Sequence, residues 1–270
     1  MALSYSQLQM YRRCPKQYEY AVIKKVPRRI SAGESFGSSI HNTLKRFGEL
    51  EMHNKQIPVT KKQLALFTDH EEKKPVSPSL DLTTLLTIFR ECFIGEGYES
   101  RAARDSALLR GETILRDYFT WWKREPREIV SIESGFKFTL EDPKRDETET
   151  LVLSGRFDRV ERIREGLRII DYKTSQPTSK QEVDADLQLS IYALAAAEQW
   201  HEPIAELVLL FLTEDGLVER ITNRNPSQLH DALTSIRLLQ GSIEQSDFRA
   251  SPSAEKCRNC PYRERCPSRI

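Results

Sequence analysis

The chain has 270 residues, a formal net charge of +1 and 39% hydrophobic residues, enough for one large core or a core with an inserted subdomain. No apolar run approaches the ~18 residues of a membrane span, and the first residues lack the charged-then-apolar order of a secretory leader, so the expected compartment is the cytoplasm. The near-neutral total hides an asymmetry: residues 1–30 carry seven Lys and Arg against one Glu, residues 249–270 carry six against two, and the two ends sum to +10 against −9 for the rest. Brought together in space, such ends form one basic face for a polyanion; apart, they are merely solvated.

In chain order, Ser4-x-x-Gln7 reads as a capping box for a first helix with Leu8 and Tyr11 on one stripe. Cys14-Pro15 interrupts it, and Pro15 can open a second helix running through Tyr18 to Ile23. Residues 27–35 read as a loop. A third helix, Phe36 to about Leu50, places Phe36, Ile40, Leu44 and Phe47 on its apolar face, with His41 beside that stripe. From Thr60 to Pro78 the chain is polar and punctuated by proline. It leads into a helical insertion between Asp81 and Trp122, with Leu82, Leu85, Leu86, Phe89 and Phe93 on one stripe and Leu108, Leu115, Tyr118 and Trp122 on another. Cys92 reads as an ordinary helix cysteine, and the cluster Tyr118, Phe119, Trp121 and Trp122 as packing rather than a base-stacking platform.

The hydrophobic period then changes to two. Val130, Ile132, Phe136, Phe138 and Leu140 mark a strand, followed by an acidic, exposed loop from Asp142 to Thr148. A strand from Leu151 to Val160 and another through Leu167-Arg168-Ile169-Ile170 are joined at Arg164-Glu165-Gly166, which would lay them antiparallel. A helix from about Asp184 to Gln199 sets Leu187, Ile191 and Leu194 towards the sheet. Strands at Glu206–Thr213 and Leu217–Ile221 turn at Asp215-Gly216, and a last helix near Pro226–Gln245 leads to the tail.

The chemistry concentrates around Asp171-Tyr172-Lys173. Side chains two apart on a strand share a face, so Asp171 and Lys173 emerge side by side, and the antiparallel pairing can bring Asp158 close to Asp171. Two carboxylates and an ammonium on rigid strands are what a hard divalent cation and a phosphodiester require, although an Asp-x-Lys alone is more often a solvated ion pair. Glu133 can add a carboxylate from the preceding strand, but matches the pattern weakly and is left out of the core site. Gln188 and Tyr192, four apart, share one helix face.

Five cysteines in a chain of this kind argue against a disulfide framework. Cys257-x-x-Cys260 and then Cys266 put three thiols in ten residues, a spacing that lets thiolates converge on one metal centre. Cys14 stands alone near the other end, followed by a proline as Cys260 and Cys266 are. Zinc and iron–sulfur clusters both accept four thiolates.

Taken together, Gly37-x-x-x-His41, Gly155-Arg156-Phe157-Asp158 with Val160, Ile169-Ile170-Asp171-Tyr172-Lys173-Thr174 and Gln188-x-x-x-Tyr192 resemble the RecB-like branch of the PD-(D/E)XK nuclease superfamily, from about Ser4 to Cys266. The resemblance implies an α/β fold: a restriction-endonuclease-like central mixed sheet flanked by helices, with a helical insertion and an iron–sulfur-bound terminal region. As a single domain, it would comprise N-terminal helices (1–50), the insertion (51–126), the core sheet (127–223) and a C-terminal helix with the cysteine tail (224–270). It implies a Mg²⁺- or Mn²⁺-dependent deoxyribonuclease, with exonuclease action expected. Asp158, Asp171 and the Tyr172 carbonyl would hold the metal with His41 as a further ligand, Lys173 would orient water or neutralise the transition state, and Gln188 and Tyr192 would contact DNA or the lysine. It also implies a [4Fe–4S] staple on Cys14, Cys257, Cys260 and Cys266, as in AddB-type and CRISPR-associated RecB-like nucleases, with structural Zn²⁺ as the alternative.

The intact Asp158, Asp171 and Lys173 speak against a catalytically silent DNA-binding module, and metal analysis would separate a zinc-bound interaction protein. No Gly-x-x-x-x-Gly-Lys-Ser/Thr phosphate loop occurs, so a motor would act in trans: a helicase in DNA repair and recombination, or an integrase in CRISPR adaptation.

Overall fold

The computed structural model describes residues 2–56, 79–140 and 150–270. The Thr60–Pro78 segment and the acidic stretch around 142–148 lie outside them. Ser4 ends a short strand, β1 (Ala2–Ser4), and caps helix α1 (Tyr5–Arg13) through the expected box with Gln7. At Cys14 the backbone is extended, and Pro15 starts α2 (Pro15–Tyr18), which continues into one π-helical turn (Glu19–Ile23). Helix α3 (Ala32–Gln56) begins four residues earlier than its apolar stripe. Helices α4 (Leu82–Cys92) and α5 (Arg101–Trp122) follow, capped by Asp81 and Ser100.

The sheet is built from β1, β2 (Glu128–Leu140), β3 (Leu151–Ile163), β4 (Gly166–Lys173), β5 (Ile204–Thr213) and β6 (Gly216–Thr222). Its order is β1-β3-β4-β5-β6, with β2 lying along β3. β2–β3, β3–β4 and β5–β6 are antiparallel, whereas β1–β3 and β4–β5 are parallel. A short α6 (Lys180–Asp184) precedes α7 (Leu187–Trp200), which is the helix expected from about Asp184 to Gln199. Asp186 caps α7 by accepting from the Leu189 amide, so the break between them is set by a side chain that competes for the backbone. Helix α8 (Pro226–Glu244) and a short α9 (Ala254–Arg258) complete the chain.

Strand β3 positions the site. β2 occupies one of its edges throughout, so β1 and β4 share the other, taking Val152–Ser154 and Arg159–Ile163 respectively. Between them Gly155–Asp158 has no ladder partner on that side, and a cleft of about 920 Å³ opens there. Gly155 allows the strand to pass here: a Cβ on it would sit 2.4 Å from the Phe136 ring.

Two cores cover the two faces. One joins Leu8, Tyr11, Phe157, Ile169, Ile191, Leu209 and Ile236, packing α1, α7 and α8 on the sheet. The other joins Ile40, Phe47, Phe89, Leu115, Tyr118 and Trp121 to Ile170, Tyr172, Val208 and Leu210. The helices of residues 81–122 therefore cover a face of the sheet. Tyr118 and Trp121 are buried and Phe119 and Trp122 half-buried, the packing use expected of them. Under this face Arg159, fully buried, pairs with Glu161 (2.6 Å) and Glu51 (3.1 Å). Glu161 also receives Arg127 (3.1 Å), and Glu51 receives the Trp122 indole N–H (2.9 Å).

Candidate active site

The β3–β4 register pairs Arg159 with Ile170, which sets Asp158 opposite Asp171. Both are buried, at 9% and 3% exposure. Asp158 Oδ2 accepts from the Tyr172 amide at 2.9 Å. His41 comes from α3, which approaches the end of β4 at Gly37, where a Cβ would meet Thr174 Oγ1 at 3.3 Å. One turn later the His41 ring lies across the site, Nδ1 3.4 Å from Asp158 Oδ2 and Nε2 3.1 Å from the Tyr172 carbonyl.

Asp171 faces the opposite group of residues. Its Oδ2 meets the Lys173 ammonium at 2.7 Å, and its Oδ1 accepts from Gln188 Nε2 at 2.7 Å and lies 3.0 Å from the Tyr192 hydroxyl. Gln188 Oε1 accepts from Lys173 at 2.7 Å, so one amide holds both members of the Asp-x-Lys pair. Tyr192 also reaches the Arg156 carbonyl at 2.8 Å, tying α7 to β3.

Glu133 enters the site as well. It sits on β2 between Ile132 and Ser134, which face Arg159 and Phe157, and so stands across from Asp158. Its φ of +49° is in the left-handed region, which costs energy for a side-chain residue inside a strand. Potential ligand atoms of His41, Glu133 and Asp158 lie within 4.8 Å of one another, and this is the one such set among the described residues. Asp171 stands beside it, engaged by Lys173, Gln188 and Tyr192. The signal for Glu133 was a carboxylate on the neighbouring strand; its backbone conformation, which turns it to the site, has no sequence signature.

The electrostatics are those of a crowded anionic pocket. Burial, and secondarily the charge of Asp158, push Asp171 up to about 6, against the pull of Lys173. Burial and Asp158 likewise raise Glu133, against Arg156, whose Nε is 2.9 Å away. Burial opposes charge on His41, but the hydrogen bond to Asp158 and the field of Asp158, Asp171 and Glu133 outweigh it and lift the imidazole to about 9. Burial also opposes charge on Lys173, yet Asp171 keeps it raised. Three mutually repelling carboxylates around an imidazole fit a divalent cation, and the carboxylate oxygens with one nitrogen suit Mg²⁺ or, better, Mn²⁺.

Away from this cleft, Cys14, Cys257, Cys260 and Cys266 line one small cavity. Burial pushes the Cys260 thiol up, an effect the Tyr262 amide opposes and the neighbouring Cys14 and Cys266 reinforce. Cys92 stands apart, 3.5 Å from Arg46 Nη1. No helix among the described residues is long and apolar enough to cross a membrane.

The chain is similar to the "Gene 69 protein" of Mycobacterium phage L5, 24% identical over 297 residues that cover 98% of this chain and 95% of that protein. A crystal structure of SSO0001 aligns over 98% of this chain and 96% of its own at 15% identity, but its TM-score of 0.40 is too low to bear on fold or function. The family model of the PD-(D/E)XK nuclease superfamily matches residues 2–267, and the chain belongs to that superfamily.

Proposed function

We propose that this protein is a Mg²⁺- or Mn²⁺-dependent deoxyribonuclease of the RecB-like branch, acting as an exonuclease on single-stranded or end-containing DNA in repair or recombination. The observation that carries the reading is the convergence of His41, Glu133 and Asp158 beside the Asp171–Lys173 pair in an open cleft. His41, Glu133 and Asp158 would hold the cation. Asp171 and the Tyr172 carbonyl would join them at the expense of the contacts they now make with Lys173 and His41. The cation supplies Lewis acidity and a more acidic bound water. Lys173 brings a positive charge to where negative charge grows on the scissile phosphate, and Gln188 and Tyr192 hold that lysine and Asp171 in place.

The four-cysteine cavity supports a [4Fe–4S] staple as a structural group. Structural zinc on the same four thiolates is the alternative, and metal analysis of anaerobically purified protein separates the two.

The test is cleavage of end-labelled single- and double-stranded DNA by anaerobically purified protein with Mg²⁺ or Mn²⁺, beside an Asp171→Ala control. Metal-dependent cutting lost in the control is expected. No cutting by folded, cluster-loaded protein would overturn the reading in favour of a DNA-binding module.

A further inference from the structure

The catalytic cleft does not end at the metal ligands. A second groove of about 910 Å³ runs along α1, and the two share Tyr5, Ser6, Arg28 and Glu34, so they form one continuous depression. Tyr5 stands at the junction, half-buried, its phenol pushed up to about 12 by burial and by the charge of Asp186, within reach of the fields of Lys173 and Asp171. Tyr5, Gln9 and Arg12 lie at i, i+4 and i+7, one stripe of the helix, and Gln9 Nε2 donates to the Tyr5 hydroxyl at 3.1 Å. Arg13 extends the same wall. Leu8 and Tyr11 are buried in the core, against which the Tyr5 ring also packs, and Gln9, Arg12 and Arg13 add polar groups to the groove floor that Leu8 closes.

The two walls differ in charge. Arg12, Arg13 and Arg28 belong to the N-terminal side. Arg28 is held by Glu34 through two contacts of 2.6 and 2.8 Å, a bidentate arrangement in which a carboxylate takes the place a phosphate can take. Opposite stand Glu182 and Asp186, each fixed as part of a helix cap. A duplex entering such a groove would set one phosphate backbone against carboxylates. A single strand has only one backbone to place, and its unpaired base edges offer N–H donors, the thymine N3–H among them, to acidic acceptors.

We propose that the α1 groove is the path along which a single nucleic-acid strand continues beyond the catalytic cleft, its phosphates on the Arg12–Arg13–Arg28 wall and its base edges towards Glu182 and Asp186. This rests on the nuclease reading for its ligand class and adds strand selectivity and a path. Tyr5, at the junction, is a base-stacking residue on this path.

Binding of labelled oligothymidylates of about five and about twenty nucleotides, and of a duplex of about twenty base pairs, tests it. Full-length protein is used with divalent metal withheld, so that nothing is cut. Because a longer strand also gains affinity by offering more registers, the readout is the slope of log affinity against log salt, which counts phosphate contacts at about 0.7 each for single strands. The longer strand should show a steeper slope than the short one, and the duplex should bind more weakly than the longer strand. Arg12→Ala should reduce the long-strand slope by about 0.7, and Arg12→Ala with Arg13→Ala by about 1.4, towards that of the short strand. Arg12→Lys should restore it, with thermal unfolding confirming that each variant folds. Equal slopes for both lengths, equal losses for both lengths in the variants, or tighter binding of the duplex would each overturn the path. Length-dependent binding by a protein that fails to cut DNA would leave the path standing and overturn only the nuclease reading.

Discussion

At the scale of single residues, the site is a balance of like charges that a cation would relieve. Glu133→Gln removes one carboxylate without changing shape. It should weaken Mn²⁺ binding by about tenfold or more, read by calorimetry, and lower cleavage in parallel; unchanged affinity would place Glu133 outside the ligand set. Lys173→Met should abolish cutting while leaving metal binding within a few-fold. The metal-free protein carries a pH signature. His41 holds its proton at about 9 when folded against 6.5 for a free imidazole, so its contribution to stability is complete below about pH 6.5 and is lost as pH rises through 9. Asp171, raised to about 6 from 3.8, has the same sign, its contribution complete below 3.8 and gone above 6. Metal-free protein should therefore melt at a higher temperature at pH 6 than at pH 9.5. A higher melting temperature at pH 9.5 would contradict the charge balance described here.

At the scale of elements, β3 does most of the positioning, and two features make that visible. Gly155 lets it pass under Phe136, so Gly155→Ala should cost about 1–3 kcal/mol through overpacking, read by urea denaturation, with activity lost as the Asp158 edge shifts. Arg159, the next residue after the site aspartate, turns to the other face and pairs with Glu161 and Glu51. Arg159→Ala leaves two buried carboxylates short of their partner and should cost about 3–5 kcal/mol. Most elements were legible from periodicity and caps: the Ser4–Gln7 box, the Pro15 restart, the β3–β4 hairpin and the last helix all stand where residue patterns put them. The exceptions have physical causes. Strand β1, Ala2–Ser4, is too short to show an alternation and exists because β3 offers it an edge. Helix α6, five mostly polar residues, is too short to show a period, and Asp186 caps α7 separately after it. Along α7 the buried set is Leu189, Ser190, Ile191, Tyr192, Ala193, Ala195 and Ala196; of the expected stripe only Ile191 belongs to it, with Leu187 and Leu194 half-buried against the same core, because this helix is covered by α1 and α8 as well as by the sheet.

At the scale of the whole molecule, the two basic ends do meet. The Tyr11 hydroxyl donates to the Asp247 carbonyl at 2.6 Å, Arg13 reaches the Lys256 carbonyl at 3.4 Å, and the Tyr20 and Tyr262 rings lie 5.5 Å apart. The cysteine cavity sits at this junction. On the proposed staple, Cys14→Ser should lower iron content and the melting temperature of anaerobically purified protein together, because a cluster held by four thiolates would lose one; loss of iron with an unchanged melting temperature would mean that the tyrosine contacts alone suffice. What the sequence by itself determined is local: residue chemistry, the spacing of Asp171 and Lys173 on one strand face, the Gln188–Tyr192 pair on one helix face, and the order of the cysteines. These follow from the fixed periods of strand and helix. What only the tertiary structure decided is non-local. His41 and Glu133 join Asp158 because α3 closes on β4 at Gly37 and the backbone of β2 turns at Glu133. The cleft exists because β1 and β4 divide one edge of β3. Distances between elements far apart in sequence depend on packing, which no periodicity encodes.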